Sequence, residues 1–147
     1  MAALRFTSLI SADRKTVWET MLGDVTYRQW TAAFQEGSYF EGSWEKGARI
    51  RFLGPGGEGG MTAVIAENRP HEYVSIKHLG IVKNGVDVTE GDEVAGWAPA
   101  FENYTFERSG TSTALTVEVE VPAAYEEYMK AAWIKALDKL KSLCEAK

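Results

Sequence analysis

The sequence predicts an α+β fold in which a curved antiparallel sheet of about seven strands wraps around a long C-terminal helix, with two short helices after the first strand. Three observations predict it. The end of the chain has apolar residues at helical spacing, residues 38–121 largely alternate between apolar and polar, and most breaks between these strands are short. Short connections favour antiparallel neighbours, because parallel strands need a long crossover.

The C-terminal helix is predicted from Pro122 to Cys144. Its apolar residues recur at steps of three and four and form one wide stripe: Tyr125, Met129, Ala132, Trp133, Ala136, Leu137, Leu140, Leu143 and Cys144. Acidic residues lie in the first turns and lysines in the last, as the helix dipole favours. Such a helix must pack on a large apolar surface, which the sheet can supply.

Length and charge limit the class of protein. At 147 residues the chain is predicted to be one domain, residues 1–147. A net charge of −5 argues against binding to nucleic acid, and no apolar run approaches the ~20 residues needed for membrane insertion. The N-terminal residues alternate like a strand and do not resemble a signal peptide. The lone Cys144 can form no intramolecular disulfide, so a cytoplasmic location is expected.

The N-terminal third is predicted to form one strand and two helices. The strand covers residues 4–10. The first helix covers residues 13–22, capped by Ser11 or Asp13, and the second covers residues 26–33 with Tyr27 and Trp30.

The remaining strands are predicted at residues 38–44, 48–53, 61–67, 73–79, 100–107 and 112–121. Residues 80–99 are predicted to form a long acidic connection that carries Trp97, and connections of this length are usually functional or mobile. In the strand after it, alternation places Glu102, Tyr104 and Phe106 on one face and Phe101, Asn103 and Thr105 on the other. We expect Tyr104 and Phe106 to point inward.

Several motifs recur in an order typical of one superfamily. They are Ile10-Ser11-Ala12 followed by Val17-Trp18, then Trp30, the segments 47–52 and 60–70, and finally Trp133, Leu137, Leu140 and Lys141. In this order they resemble the helix-grip fold of the START-like, Bet v 1-like (SRPBCC) superfamily. They are most similar to bacterial proteins related to the C-terminal domain of the activator of Hsp90 ATPase. The resemblance covers essentially all of the chain.

The resemblance implies a cavity between the long helix and the sheet. In the superfamily such cavities hold lipids, sterols, polyketides or other apolar molecules, and a few members are enzymes. It carries over no catalytic residues. The co-chaperone has a separate N-terminal domain that has no counterpart in this chain, so Hsp90 is a doubtful partner.

The candidate ligand-binding residues are large apolar side chains and one histidine: Trp30, Phe34, Trp97, Tyr104, Phe106, Met129, Trp133 and His78. We expect Trp97 to act like a lid and a cavity to lie against Trp133. For each apolar residue the alternative is ordinary core packing, and for His78 it is an ordinary surface or edge histidine.

Other kinds of site have weaker support. No helix carries paired histidines and no cysteine cluster exists, so no metal site and no cofactor are predicted. The acids at Asp87, Glu90, Asp92 and Glu93 lack EF-hand spacing, and GPGGEGG at residues 54–60 lacks the Lys-Ser/Thr of a P-loop. We predict no catalytic residues.

The predicted function is therefore the binding of a small hydrophobic or amphipathic molecule between helix and sheet. One alternative is an Hsp90-activator-like or stress-related protein-interaction module. Another is a cyclase- or hydrolase-like enzyme that uses the same cavity, which would need an acid or base pointing inward. A homodimer is possible through a strand edge or the outer face of the sheet.

Overall fold

This computed structural model describes residues 1–146. They contain eight strands and four α-helices, joined by turns and short 3-10 segments. The strands are β1 Ala2–Ile10, β2 Tyr39–Gly42, β3 Arg49–Leu53, β4 Gly59–Arg69, β5 Tyr73–Lys83, β6 Val86–Val88, β7 Ala100–Ser109 and β8 Ser112–Val121. The helices are α1 Arg14–Leu22, α2 Asp24–Trp30, α3 Asp92–Ala95 and α4 Glu126–Glu145.

The strands form one antiparallel sheet in the order β1-β8-β7-β5-β4-β3-β2, and β6 pairs with β5. Helices α1 and α2 follow β1, and α4 contacts β1, α1 and α2. The α+β helix-grip fold predicted from the sequence is therefore confirmed, with one strand more than the expected seven.

Helix α1 begins where its cap was predicted. The Asp13 carboxylate accepts a hydrogen bond from the Thr16 N–H at 2.8 Å, which satisfies one of the free amides of the first turn. Val17, Met21 and Leu22 are buried beneath the helix. The helix therefore lies with its apolar residues against the core.

Helix α4 begins four residues later than predicted. Pro122 has an extended conformation, and residues 123–125 make a 3-10 turn before the α-helix starts at Glu126. Tyr125 therefore falls outside the buried stripe and is 60% exposed, so its predicted place on the apolar face was wrong. From Ala132 to Lys139, pairs of buried residues alternate with pairs of exposed ones, as a one-sided helix requires.

The predicted long connection of residues 80–99 is largely regular structure. Strand β5 runs on to Lys83, and β6 turns back along it through Asn84 and Gly85, whose φ angles are 51° and 76°. Asn-Gly is a strong hairpin signal, because both positions of the turn need positive φ. Asp87 in β6 forms ion pairs with Arg51 at 2.8 Å and Arg49 at 3.4 Å, which hold the hairpin against β3.

The inward face of β7 is the one that was expected. Tyr104 and Phe106 are 2% and 1% exposed, whereas Phe101 on the other face is half-buried. Glu102 shares the inward face with them by strand alternation. This orientation places a carboxyl group on the side of the sheet that faces α4.

Candidate functional site

Trp133 lies at the centre of an aromatic group between α4 and the sheet. Its ring centroid is 5.0 Å from that of Phe34, 5.8 Å from Trp30, and 6.1 Å from both Phe6 and Tyr104. The side chain is almost completely buried. Helix α4, strands β1 and β7, and the segment that follows α2 therefore all meet at this indole.

A second aromatic group lies next to the first. Tyr27 contacts Phe40, Trp44 and Phe52 at centroid distances of 5.1–6.5 Å, and it contacts Trp30 at 5.4 Å. Because Trp30 also touches Trp133, the two groups are continuous. Aromatic rings thus line much of the space enclosed by the sheet and the helices.

Three polar side chains join these groups on the inward face. His78 Nε2 lies 3.0 Å from Glu102 Oε1, and the Tyr104 hydroxyl donates a hydrogen bond to Glu102 Oε2. The His78 ring contacts Phe52 at a centroid distance of 5.7 Å, and Tyr104 contacts Trp133. Glu102 is therefore a carboxyl group held by two donors within an aromatic lining.

Burial and the Glu102 carboxylate raise the pKa of the two tyrosines of this region, Tyr27 and Tyr104. Burial raises the pKa of Tyr104 well above its ordinary value, and the charge of Glu102 and its hydrogen bond raise it further. Burial also raises the pKa of Tyr27, with a smaller contribution from the charge of Glu102. Both phenols are therefore held in the neutral form, and that of Tyr104 donates to Glu102.

Three buried nitrogens of this region have no hydrogen-bond partner among the described residues. They are Trp44 Nε1, His78 Nδ1 and Trp133 Nε1. Buried polar groups usually have a partner, because an unpaired one costs about 1–3 kcal/mol. The three nitrogens all belong to the aromatic lining or to the histidine beside it.

Part of the inward face is accessible to solvent. Phe6, Phe34, Phe52 and Met129 pack against the core but are only half-buried. Glu102 retains 18% of its side-chain exposure. The inward face therefore has apolar side chains and one carboxyl-bearing side chain that are not fully buried.

Six of the eight predicted site residues lie in the aromatic interior, and two lie elsewhere. Trp30, Phe34, Tyr104, Met129, Trp133 and His78 all contribute to the interior described above. Phe106 is buried, but its ring contacts Trp18 at 5.1 Å. Trp97 donates its indole N–H to the Glu93 carbonyl at 2.8 Å, and no ring contact joins it to the other described aromatics.

Two open grooves lie away from Trp133. One, of about 480 Å³, is on the outward face of the sheet beside Arg5, Asn103 and Glu118. The other, of about 450 Å³, lies between the start of α1 and two turns, beside Arg14 and Arg108. Four aromatic rings pack next to Trp133, where an open cavity was expected.

Glu102 was not among the predicted site residues, although the alternation of its strand already placed it beside Tyr104. Its partner His78 is only 7% exposed, which differs from an ordinary surface histidine. The sequence signal that could have identified both residues is strand alternation. Glu102 and His78 are polar residues at positions whose neighbours two residues away on the same strand are apolar and point inward.

Two other features are absent from the described residues. No helix among residues 1–146 is long and apolar enough to cross a membrane. The same residues contain no group of three or more histidine, cysteine, aspartate or glutamate side chains arranged to hold a metal ion.

Solved structures share this fold at low sequence identity. The Aha1 dimer from Colwellia psychrerythraea has a TM-score of 0.74 and 16% identity, covering 99% of this chain and 97% of that one. A protein from Mesorhizobium loti has a TM-score of 0.72 and 15% identity, covering 99% and 98%. A protein from Chromobacterium violaceum has a TM-score of 0.69 and 19% identity, covering 97% and 96%. These similarities show the fold.

No family model matches the chain, and no curated protein matches it.

Proposed function

We propose that this protein binds a small apolar or amphipathic molecule between α4 and the inward face of the sheet. The observation that carries the proposal is the inward Glu102 carboxyl group, bonded to His78 and Tyr104 among aromatic rings. Placing a charged group in an apolar region costs free energy, and an apolar residue there would pack without this cost. A ligand-binding role explains why the group is present.

The half-buried side chains supply the apolar part of the proposed site. Phe6, Phe34, Phe52 and Met129 can contact a ligand while the buried Trp133 and Trp30 form the wall behind them. Small-molecule sites are mostly apolar with a few placed polar groups, and this region has that composition. Trp97 and Phe106 lie outside the site as proposed.

Blocking the half-buried surface tests the proposal. Met129→Trp should raise the dissociation constant of the neutral apolar dye Nile red about 10-fold or more, because the larger ring fills half-buried space one turn before Trp133 on the same face of α4. Dye binding is measured by fluorescence titration, and folding is checked by circular dichroism.

Ile134→Trp is the matched control, since Ile134 is 57% exposed on the same helix. It should leave dye binding unchanged. Equal effects of the two substitutions, or the absence of saturable dye binding to the unmodified protein, would contradict the proposal.

An enzyme that uses the same site is the second candidate. The observation that favours it is a histidine hydrogen-bonded to a carboxyl group on the inward face, which is an arrangement used in acid–base chemistry. A cyclase- or hydrolase-like reaction needs this kind of group near the ligand.

The remaining expectations stay proposals. They are a single domain, a cytoplasmic location and a homodimer, and the similar structure from Colwellia psychrerythraea is itself described as a dimer. An Hsp90-activator-like or stress-related interaction module is a weaker alternative, and Hsp90 remains a doubtful partner.

A further inference from the structure

We infer that the ligand is an amphipathic amine, with its ammonium group bound to Glu102 and its hydrocarbon part against the aromatic side chains. The inference rests on the proposed ligand site and specifies the class of molecule that it holds. It follows from the charges on the inward face and from the rings that surround them.

The charge of Glu102 has no permanent counter-charge. Among residues 1–146 its only ion-pair partner is His78, whose charge depends on pH. The arginines of β3, Arg49 and Arg51, pair with Asp87 on the outward face. When His78 is neutral, Glu102 accepts two hydrogen bonds but faces no positive charge. Buried carboxylates are normally paired, so a cationic ligand would complete the site.

Both carboxylate oxygens can accept a further bond. Oε1 interacts with His78 and Oε2 accepts from Tyr104, and each carboxylate oxygen has room for about two donors. An ammonium group has donors to spare and forms charge-assisted hydrogen bonds, which are roughly twice as strong as neutral ones. The Glu102 side chain is 18% exposed, so it is not sealed off from solvent.

The surrounding rings also favour a cation. Phe52 contacts the His78 ring, Tyr104 is hydrogen-bonded to Glu102, and Trp133 packs against Tyr104. The faces of aromatic rings attract positive charge. The charge of Glu102 contributes to the raised pKa of both Tyr27 and Tyr104, so its negative potential reaches these phenols. A bound cation would reduce this potential, whereas an anionic ligand would be repelled by it.

Three naphthalene derivatives of similar size, whose single substituent is positive, neutral or negative, test the inference. They are 1-naphthylmethylamine, 1-naphthylmethanol and 1-naphthoate, titrated calorimetrically into the full-length protein at about pH 8, where histidine side chains are ordinarily neutral. We expect the amine to bind about 10-fold more tightly than the alcohol, because one charge-assisted hydrogen bond replaces a neutral one. We expect 1-naphthoate to bind most weakly.

Two variants locate the charge effect. Glu102→Gln should remove the preference for the amine while leaving the affinity for the alcohol nearly unchanged. The matched control is Glu118→Gln, since Glu118 lies on the outward face of the adjacent strand β8, and it should keep the full preference.

The outcomes separate the two proposals. If the alcohol binds as tightly as the amine, or if the preference survives in Glu102→Gln, the amine inference is wrong while a ligand site remains. If none of the three molecules binds, the amine inference and the proposed ligand site both fail. The comparison on the unmodified protein decides the charge preference even if Glu102→Gln does not fold.

Discussion

Core packing does not explain why Glu102 and its two hydrogen-bond partners, His78 and Tyr104, lie on the inward face. Ala100, Tyr104 and Phe106 on the same face of β7 are buried, as expected for a strand that packs against a helix. Glu102 interrupts that series with a carboxyl group, which the hydrogen bonds from His78 and Tyr104 help to stabilise. The function of the protein should therefore depend on Glu102 more than on its buried neighbours.

The Tyr104 hydroxyl should contribute measurably to stability. Tyr104→Phe keeps the ring against Trp133 but removes a donor to Glu102, which leaves an acceptor in a largely buried place. We expect the free energy of unfolding to fall by about 1–2 kcal/mol, measured by urea denaturation.

Tyr73→Phe is the comparison for that experiment. Tyr73 is half-buried on β5, and its ring lies beneath the Arg69 guanidinium at 5.0 Å. Its hydroxyl makes no hydrogen bond within the described residues, so the change should be within about 0.5 kcal/mol. Similar losses in both variants would argue against a specific role for the Tyr104 hydroxyl.

At the level of elements, α4 is anchored at both ends. Near its start the Tyr128 hydroxyl donates to the Phe34 carbonyl. Near its end Lys141 donates to the Leu9 carbonyl at 2.7 Å, and the Glu145 carboxylate accepts from the Ser11 N–H at 2.8 Å. Between these anchors, Ala132 and Ala136 are small residues that face the interior. They let the helix approach its neighbours closely.

Enlarging one of these alanines should destabilise the protein. Ala136 is completely buried, so Ala136→Leu must displace its neighbours, and we expect the free energy of unfolding to fall by about 1–3 kcal/mol. Thermal and urea denaturation measure the effect.

The control substitution is Lys135→Leu, one residue earlier on the exposed side of the same helix. It adds a leucine to the helix without changing the core, and it should alter stability by less than about 0.5 kcal/mol. A tolerated Ala136→Leu would show that α4 packs more loosely than the structure indicates.

At the level of the whole molecule, one apolar core joins nearly all of the elements. Its buried residues come from β1, α1, α2, β3, β4, β5, β7, β8 and α4. No second core is apparent among residues 1–146. A shared core couples these elements, because disrupting one removes packing from the others.

This coupling predicts cooperative unfolding. Urea denaturation should give one transition, with coincident midpoints for far-ultraviolet circular dichroism and tryptophan fluorescence. Two separate transitions would contradict the prediction of a single domain. The five tryptophans make fluorescence a sensitive probe of the tertiary packing.

Local patterns account for what could be predicted about the fold. The stripe on α4 and the alternation of β8 depend on residues close in sequence, so each element and its buried face could be identified from spacing. Two predictions were wrong for local reasons as well: the start of α4 at Pro122 and the long connection in place of the β5–β6 hairpin. The 3-10 turn displaced Tyr125, and the Asn84-Gly85 hairpin signal lies inside the segment predicted to be one long connection.

The sequence by itself determined the fold class and most of the elements. For β7 it offered two alternating faces, and the burial of Tyr104 and Phe106 in the structure decided which of them points inward. Only the tertiary structure decided that His78 and Glu102 meet, since they are 24 residues apart and their contact depends on the register of β5 against β7. It also decided that Trp133 is surrounded by rings from α2, β1, β7 and the segment after α2, and that Trp97 lies apart from them. The physical reason is that periodicity shows which side chains point inward, whereas strand register and helix placement determine which of them touch.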